Sequence, residues 1–160
     1  MKKAISLLMT FVLALGLIGC NGQETQNPAA SDDSYAKETN RLVDLTTEFD
    51  SSENVKIVTE KETYSVNDTV IGYSITNISD VEQYIAGDDT CFCLHKLVDG
   101  KWKRVETKGE HCWNSLGLIM NPNQTEKREI QLDQYFYLPL ENGEYRIAVE
   151  SLISNTFEIS

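Results

Sequence analysis

The side chains best able to do chemistry are crowded into one stretch, "CFCLHKLVDGKWKRVETKGEHCW", residues 91 to 113. It holds Cys91, Cys93 and Cys112, every cysteine except Cys20, and both histidines, His95 and His111. Thiolates and imidazoles together make a soft donor set suited to Zn(II) or Cu(I), and thiols in an exported chain also allow a disulfide. In an extended strand side chains alternate, so Cys91, Cys93, His95 and Leu97 share one face while Phe92, Leu94 and Val98 share the other. Residues two apart lie about 6.7 Å from each other at Cα with nearly parallel side chains, which disfavours a Cys91 to Cys93 bond. Cys112 is then the partner for Cys93 or for Cys91. Such a bond closes a loop of about 20 residues, stabilises by roughly 3 kcal/mol and leaves one thiol over. A metal set obeys the same geometry. Cys91 and His95 stand about 13 Å apart on a straight strand, so the set is Cys93 with Cys91 or His95, completed by Cys112 and His111. The spacing matches no paired CxxC motif, and three readings stand: a disulfide plus a thiol, three thiols, or a zinc or copper site.

Other chemistry fits less well. A serine or cysteine hydrolase needs a base within reach of its nucleophile, and the histidines sit only in this cluster. His111 directly beside Cys112 is a poor dyad because adjacent side chains diverge. The sequence has no glycine-rich phosphate loop and no HExxH. Asp88 and Asp89 in "AGDDTC" read as solvated turn acids, not a calcium site. The expectation is a chain that is not an enzyme and has no cofactor, with zinc or copper as the alternative.

The elements that must position this cluster begin after residue 50. At 160 residues with 41% hydrophobic content the chain has room for one ordinary domain and something more. Lys2 and Lys3 precede an apolar run from Ala4 to Ile18, too short for a membrane span and laid out like an export signal. "LIGC", Leu17 to Cys20, resembles a bacterial lipobox. That resemblance implies cleavage after residue 19, lipidation of Cys20 and anchoring at the extracytoplasmic face of a bacterial cell membrane, since two or more acyl chains hold stably. Removing residues 1 to 19 takes away two lysines and no acids, so the net charge of −11 becomes −13. That much negative charge repels phosphate backbones and argues against nucleic-acid binding. Asn67, Asn77 and Asn123 head glycosylation sequons that, behind a bacterial lipobox, read as turn residues.

Residues 20 to 52 are polar and read as the lipidated cysteine and a flexible tether. Within them Leu42, Leu45 and Phe49 fall near one helical face after Thr39, which predicts a short helix over 39–49. From residue 53 to 160 the period becomes two. Val55 and Ile57, then Ile71, Tyr73 and Ile75, then Phe92 and Leu94 alternate, and Asp99-Gly100 makes a two-residue hairpin turn. "GLIM", an Asn-Pro-Asn turn, "REIQL", "GEYRIAVE" and "NTFEIS" complete an all-β, antiparallel sandwich of seven to eight strands.

"LENGEYRIAVE" places Gly143 two residues before Tyr145 and Ile147 two after, which looks like the tyrosine-corner signature of immunoglobulin-like domains. Ile147 stands where antibody domains carry their second core cysteine, and the early strand offers Tyr73 or Ile75. With "EKETYSVNDTVIGYSITNIS", "LHKLVDGKWKRV" and "LIMNPNQTEKREIQL", the segment from residue 54 to 160 resembles the bacterial immunoglobulin-like domains of small exported lipoproteins, found mainly in Gram-positive bacteria. The resemblance implies a noncatalytic binding or accessory module at the cell surface, with a protein or envelope partner as well as the membrane. A soft-metal or thiol-redox lipoprotein is the second reading. A proteinase inhibitor is the third, because a bacterial intracellular proteinase inhibitor has a similar fold. Trp102 and Trp113 would form an aromatic patch for a partner or simply pack the hairpin.

Overall fold

The computed structural model describes residues 39–86, 91–109 and 116–160. Those residues form eleven strands and one four-residue helix. In order they are β1 (Leu42–Asp44), β2 (Val55–Thr59), β3 (Thr63–Tyr64), β4 (Val70–Asn77), β5 (Gln83–Ala86), β6 (Cys93–Val98), β7 (Lys101–Val105), β8 (Gly117–Met120), β9 (Thr125–Gln131), α1 (Leu132–Tyr135), β10 (Gly143–Val149) and β11 (Leu152–Ile159). The all-β immunoglobulin-like sandwich is as expected. The strand number exceeds eight by β1, β3 and β5, which at three, two and four residues are too short to carry a readable period.

One sheet surface runs β1-β7-β6-β10-β11 and continues through β2-β4-β9, with β3 alongside β11 and β5 paired with β8 apart from it. The two halves are joined by a single parallel register, Ser154 to Ile57, so the sheet turns a corner there. Alternation explains the core. Ile57 on β2, Ile71, Tyr73 and Ile75 on β4, Leu94 on β6, and Tyr145 and Ile147 on β10 are all buried in one apolar cluster. Asp99 and Gly100 have φ of 51° and 74°, the left-handed pair that the β6 to β7 hairpin turn requires.

The Tyr145 hydroxyl donates to the Glu141 carbonyl at 2.7 Å, and its ring stacks on Phe157. This is the corner that the Gly-x-Tyr spacing predicts. Burial first, and the nearby Glu141 carboxylate second, push the phenol pKa upward, so this hydroxyl remains a donor.

Two expectations are corrected. Residues 39–49 hold a strand, β1, in place of the predicted helix, and residues from 39 onward belong to the domain instead of a tether reaching to 52. The reason lies in long-range partners that helical periodicity does not report. Asn40 donates to the Tyr137 carbonyl at 2.6 Å and accepts from its N–H at 2.9 Å, fixing the chain beside the edge of β7. There Leu42, Val43 and Asp44 pair with Val105, Arg104 and Lys103 and cover an otherwise open edge. Further on, Asp50 donates its N–H to the Ser151 carbonyl.

Asn77, read as a turn residue, is fully buried at the end of β4. Its amide donates to the carbonyls of Val81 and Met120 and its oxygen accepts from Ser79, tying β4 to the β5–β8 pair. No described helix is long and apolar enough to cross a membrane.

Candidate functional site

Strand alternation on β6 holds as predicted: Phe92 and Leu94 enter the core, while Cys93 and His95 take the opposite face. Register then decides their company. His95 lies opposite Arg146 on β10 and Arg104 on β7, and Leu97 lies opposite Trp102. The outer face of this sheet therefore gathers Cys93, His95, Arg104, Trp102 and Arg146. Residues 45–50, which follow β1, supply its cover.

A column of rings and cations stands at the centre of this face. The Phe49 ring meets His95 edge-on at 4.7 Å between centroids. Arg146 Nε donates to His95 Nδ1 at 3.3 Å, and the Arg146 guanidinium lies 4.4 Å from the centre of the Trp102 ring. His95 is wholly buried, and its Nε2 has no hydrogen-bond partner among the described residues. Burial, then the positive charges of Arg146 and Arg104, pull the His95 pKa down to about 4. The ring is neutral at ordinary pH. With Nδ1 accepting, the proton sits on Nε2.

Arg146 is the least expected member. It is 8% exposed, and among the described residues it forms no ion pair. Burial lowers its pKa. A bulge between Arg146 and Ala148 breaks the β10 to β11 ladder, and the Ser154 hydroxyl accepts the Ile147 N–H at 2.9 Å at this irregularity. Arg146 itself keeps regular register with Thr156 and His95, and strand alternation turns it into an open groove lined by Lys101, Trp102, Phe49, Thr46 and Thr47, with Glu48 and Asp50 at its exposed edge.

The cysteine and histidine cluster of the sequence is only partly brought together. Cys93 and His95 share a face, whereas His111 and Cys112 lie outside the described residues, as do Cys20, Asp88, Asp89 and Trp113. Cys93 is a half-buried free thiol, and the pairing of Cys112 is not among the described contacts. Burial raises the Cys93 pKa, partly offset by Arg104, so the protonated thiol dominates at neutral pH and is a poor nucleophile or ligand. Among the described residues no three His, Cys, Asp or Glu side chains gather as a metal site. His95 spends Nδ1 on Arg146 and faces two guanidinium groups, which disfavours a cation there.

Sequence reasoning found Cys93, His95 and Trp102 but missed Arg146, Lys101 and Phe49. Alternation beside Tyr145 and Ile147 was enough to turn Arg146 outward. Its neighbours depend on strand order, which a single sequence does not display.

Comparison with known proteins adds the family. A sequence model described as bacterial Ig-like domain matches residues 51–158. No curated protein matches the chain. Among solved structures it is similar to a β-glucosidase from Listeria innocua (14% identity, TM-score 0.37, 66% of this chain and 16% of that one). It is also similar to a β-glucosidase from Erythrobacter marinus (12%, 0.36, 66% and 15%). A third is an alkylpurine DNA glycosylase from Pseudomonas fluorescens bound to DNA with an abasic-site analogue (12%, 0.36, 66% and 30%). The chain spans less than a third of each of those proteins, and likeness at this level carries no argument about activity. With its tyrosine corner, its sandwich and a family match over most of its length, the chain belongs to the bacterial Ig-like domain family.

Proposed function

We propose that this protein is a noncatalytic binding module, held by a lipid on Cys20 at the extracytoplasmic face of a bacterial cell membrane, that engages an envelope partner through the groove at Arg146. The observation that carries the reading is an arginine nine-tenths buried that forms no ion pair among the described residues, lying over Trp102 and turned outward by strand alternation, with the Glu48 and Asp50 carboxylates in the same groove. A guanidinium removed from water without a counter-charge is costly, and such an arrangement is suited to a partner that supplies the missing acceptors. Bacterial Ig-like domains are typically noncatalytic and stand at the cell surface, in keeping with accessory binding. The lipobox "LIGC" and the short apolar run before it support the anchor.

Cell fractionation tests the anchor. The wild-type chain is expected in the membrane fraction with a diacylated Cys20, and Cys20→Ala is expected to release it or leave it unprocessed. An unlipidated Cys20 would overturn the anchor. Binding is tested by immobilising the chain and washing envelope extract over it. Retained material should be lost with Trp102→Ala, and retention that ignores this substitution would place binding elsewhere.

A further inference from the structure

We infer that the groove at Arg146 is a carboxylate-binding site whose ligand carries a single carboxylate on a ring with an apolar face, as an aromatic acid or a uronic acid does; this rests on the binding-module reading and names its ligand class. Arg146 uses Nε on His95, and its terminal nitrogens have no hydrogen-bond partner among the described residues. A planar guanidinium offers paired N–H groups at the spacing of a carboxylate's two oxygens. Trp102 covers one guanidinium face and His95 fixes the Nε edge, so the fork is held in place before a ligand arrives. Little ordering remains to be done on binding.

The neighbouring groups sharpen the class. Lys101 lines the same groove and, among the described residues, forms no ion pair, so it adds a second positive charge. Thr46 and Thr47 bring hydroxyls able to donate or accept, and Phe49 and Trp102 bring apolar ring surface. Glu48 and Asp50 at the rim, and the net charge of −11 on the whole chain, repel added negative charge. The ring surface gives a carboxylate-bearing body something to lie on, which a bare inorganic anion does not use.

The test is calorimetric titration of the full chain in neutral detergent with benzoate, glucuronate, inorganic phosphate and neutral methyl glucoside. Saturable binding of benzoate or glucuronate is expected, at least tenfold tighter than phosphate, with no heat from the glucoside. Which carboxylate binds better distinguishes an aromatic acid from an acidic sugar. Arg146→Gln should abolish binding. Because a buried substitution can disturb folding, Lys101→Gln at the exposed rim is the second variant, with a threefold or greater loss expected. Phosphate binding as tight as either carboxylate, or affinities untouched by both substitutions, would overturn the assignment. Failure with every carboxylate while Trp102→Ala still abolishes retention of envelope material would sink the ligand class alone; failure of both would sink the groove.

Discussion

Arg146 on β10 donates to His95 on β6 across 3.3 Å, and this contact couples a groove-facing cation to a wholly buried neutral ring. The bond requires the neutral imidazole, since a protonated ring has no acceptor to offer. The hydrogen bond that fixes the Nε edge of Arg146 therefore lasts only while His95 is unprotonated.

Stability should fall in acid because of this pair. His95 titrates near its ordinary value in the unfolded chain and at about 4 in the folded one, so between those limits the unfolded state binds the extra proton. The contribution is zero above about pH 6.5 and grows to a loss on the order of 3 kcal/mol near pH 4, from the size of the shift. Urea unfolding across pH 4 to 7 measures it. His95→Phe should flatten this part of the profile, and an unchanged slope in the variant would contradict the placement of His95.

The tyrosine corner gives a smaller, pH-independent effect. Tyr145→Phe keeps the ring between Phe157 and the core but leaves the Glu141 carbonyl without its donor. Loss of about 1 kcal/mol is expected, with an unchanged far-ultraviolet circular dichroism spectrum.

Asn77 carries more. Asn77→Ala removes two donors from buried or partly buried carbonyls, Val81 and Met120, and the acceptor for Ser79. A loss of about 2 to 4 kcal/mol in denaturant unfolding is expected. Because its side chain is fully buried, a chain that acquires a glycan at this sequon in a eukaryotic host should fail to reach this fold, whereas exposed Asn67 and Asn123 can carry one.

Cys93 should react slowly. In a Cys91→Ser, Cys112→Ser background its alkylation rate is expected to keep climbing above pH 9, since the thiol pKa is raised by burial. Arg104→Gln removes the one charge that opposes this shift and should move the midpoint higher still. A midpoint in the neutral range would instead mark an activated thiolate and revive a redox role.

Much of this was legible in the sequence where period and turn chemistry were strong. The two-residue alternation of Ile71, Tyr73 and Ile75 gave β4, Asp99-Gly100 gave the hairpin, and the Gly143 to Tyr145 spacing gave the corner. The face shared by Cys93 and His95 also followed from alternation alone. What surrounds that face did not. Arg146 and His95 are 51 positions apart and meet through strand order, which local pattern leaves open. Leu42, Leu45 and Phe49 suit a helical period by spacing alone. The actual place of Phe49 was set by Asn40 at Tyr137 and by the β1 pairing, both contacts across the fold. The cysteines drew attention by their chemistry, yet the polar centre of the face is a histidine and an arginine.

The most direct measurement of the central claim is photo-crosslinking in intact cells, with the reactive side chain placed at Lys101 beside the groove or at exposed Lys127 on β9 as control. An adduct is expected from position 101 that disappears with Arg146→Gln, and none from position 127. Equal adducts from both positions, or an adduct at 101 that survives Arg146→Gln, would contradict a binding surface built on Arg146 and Trp102.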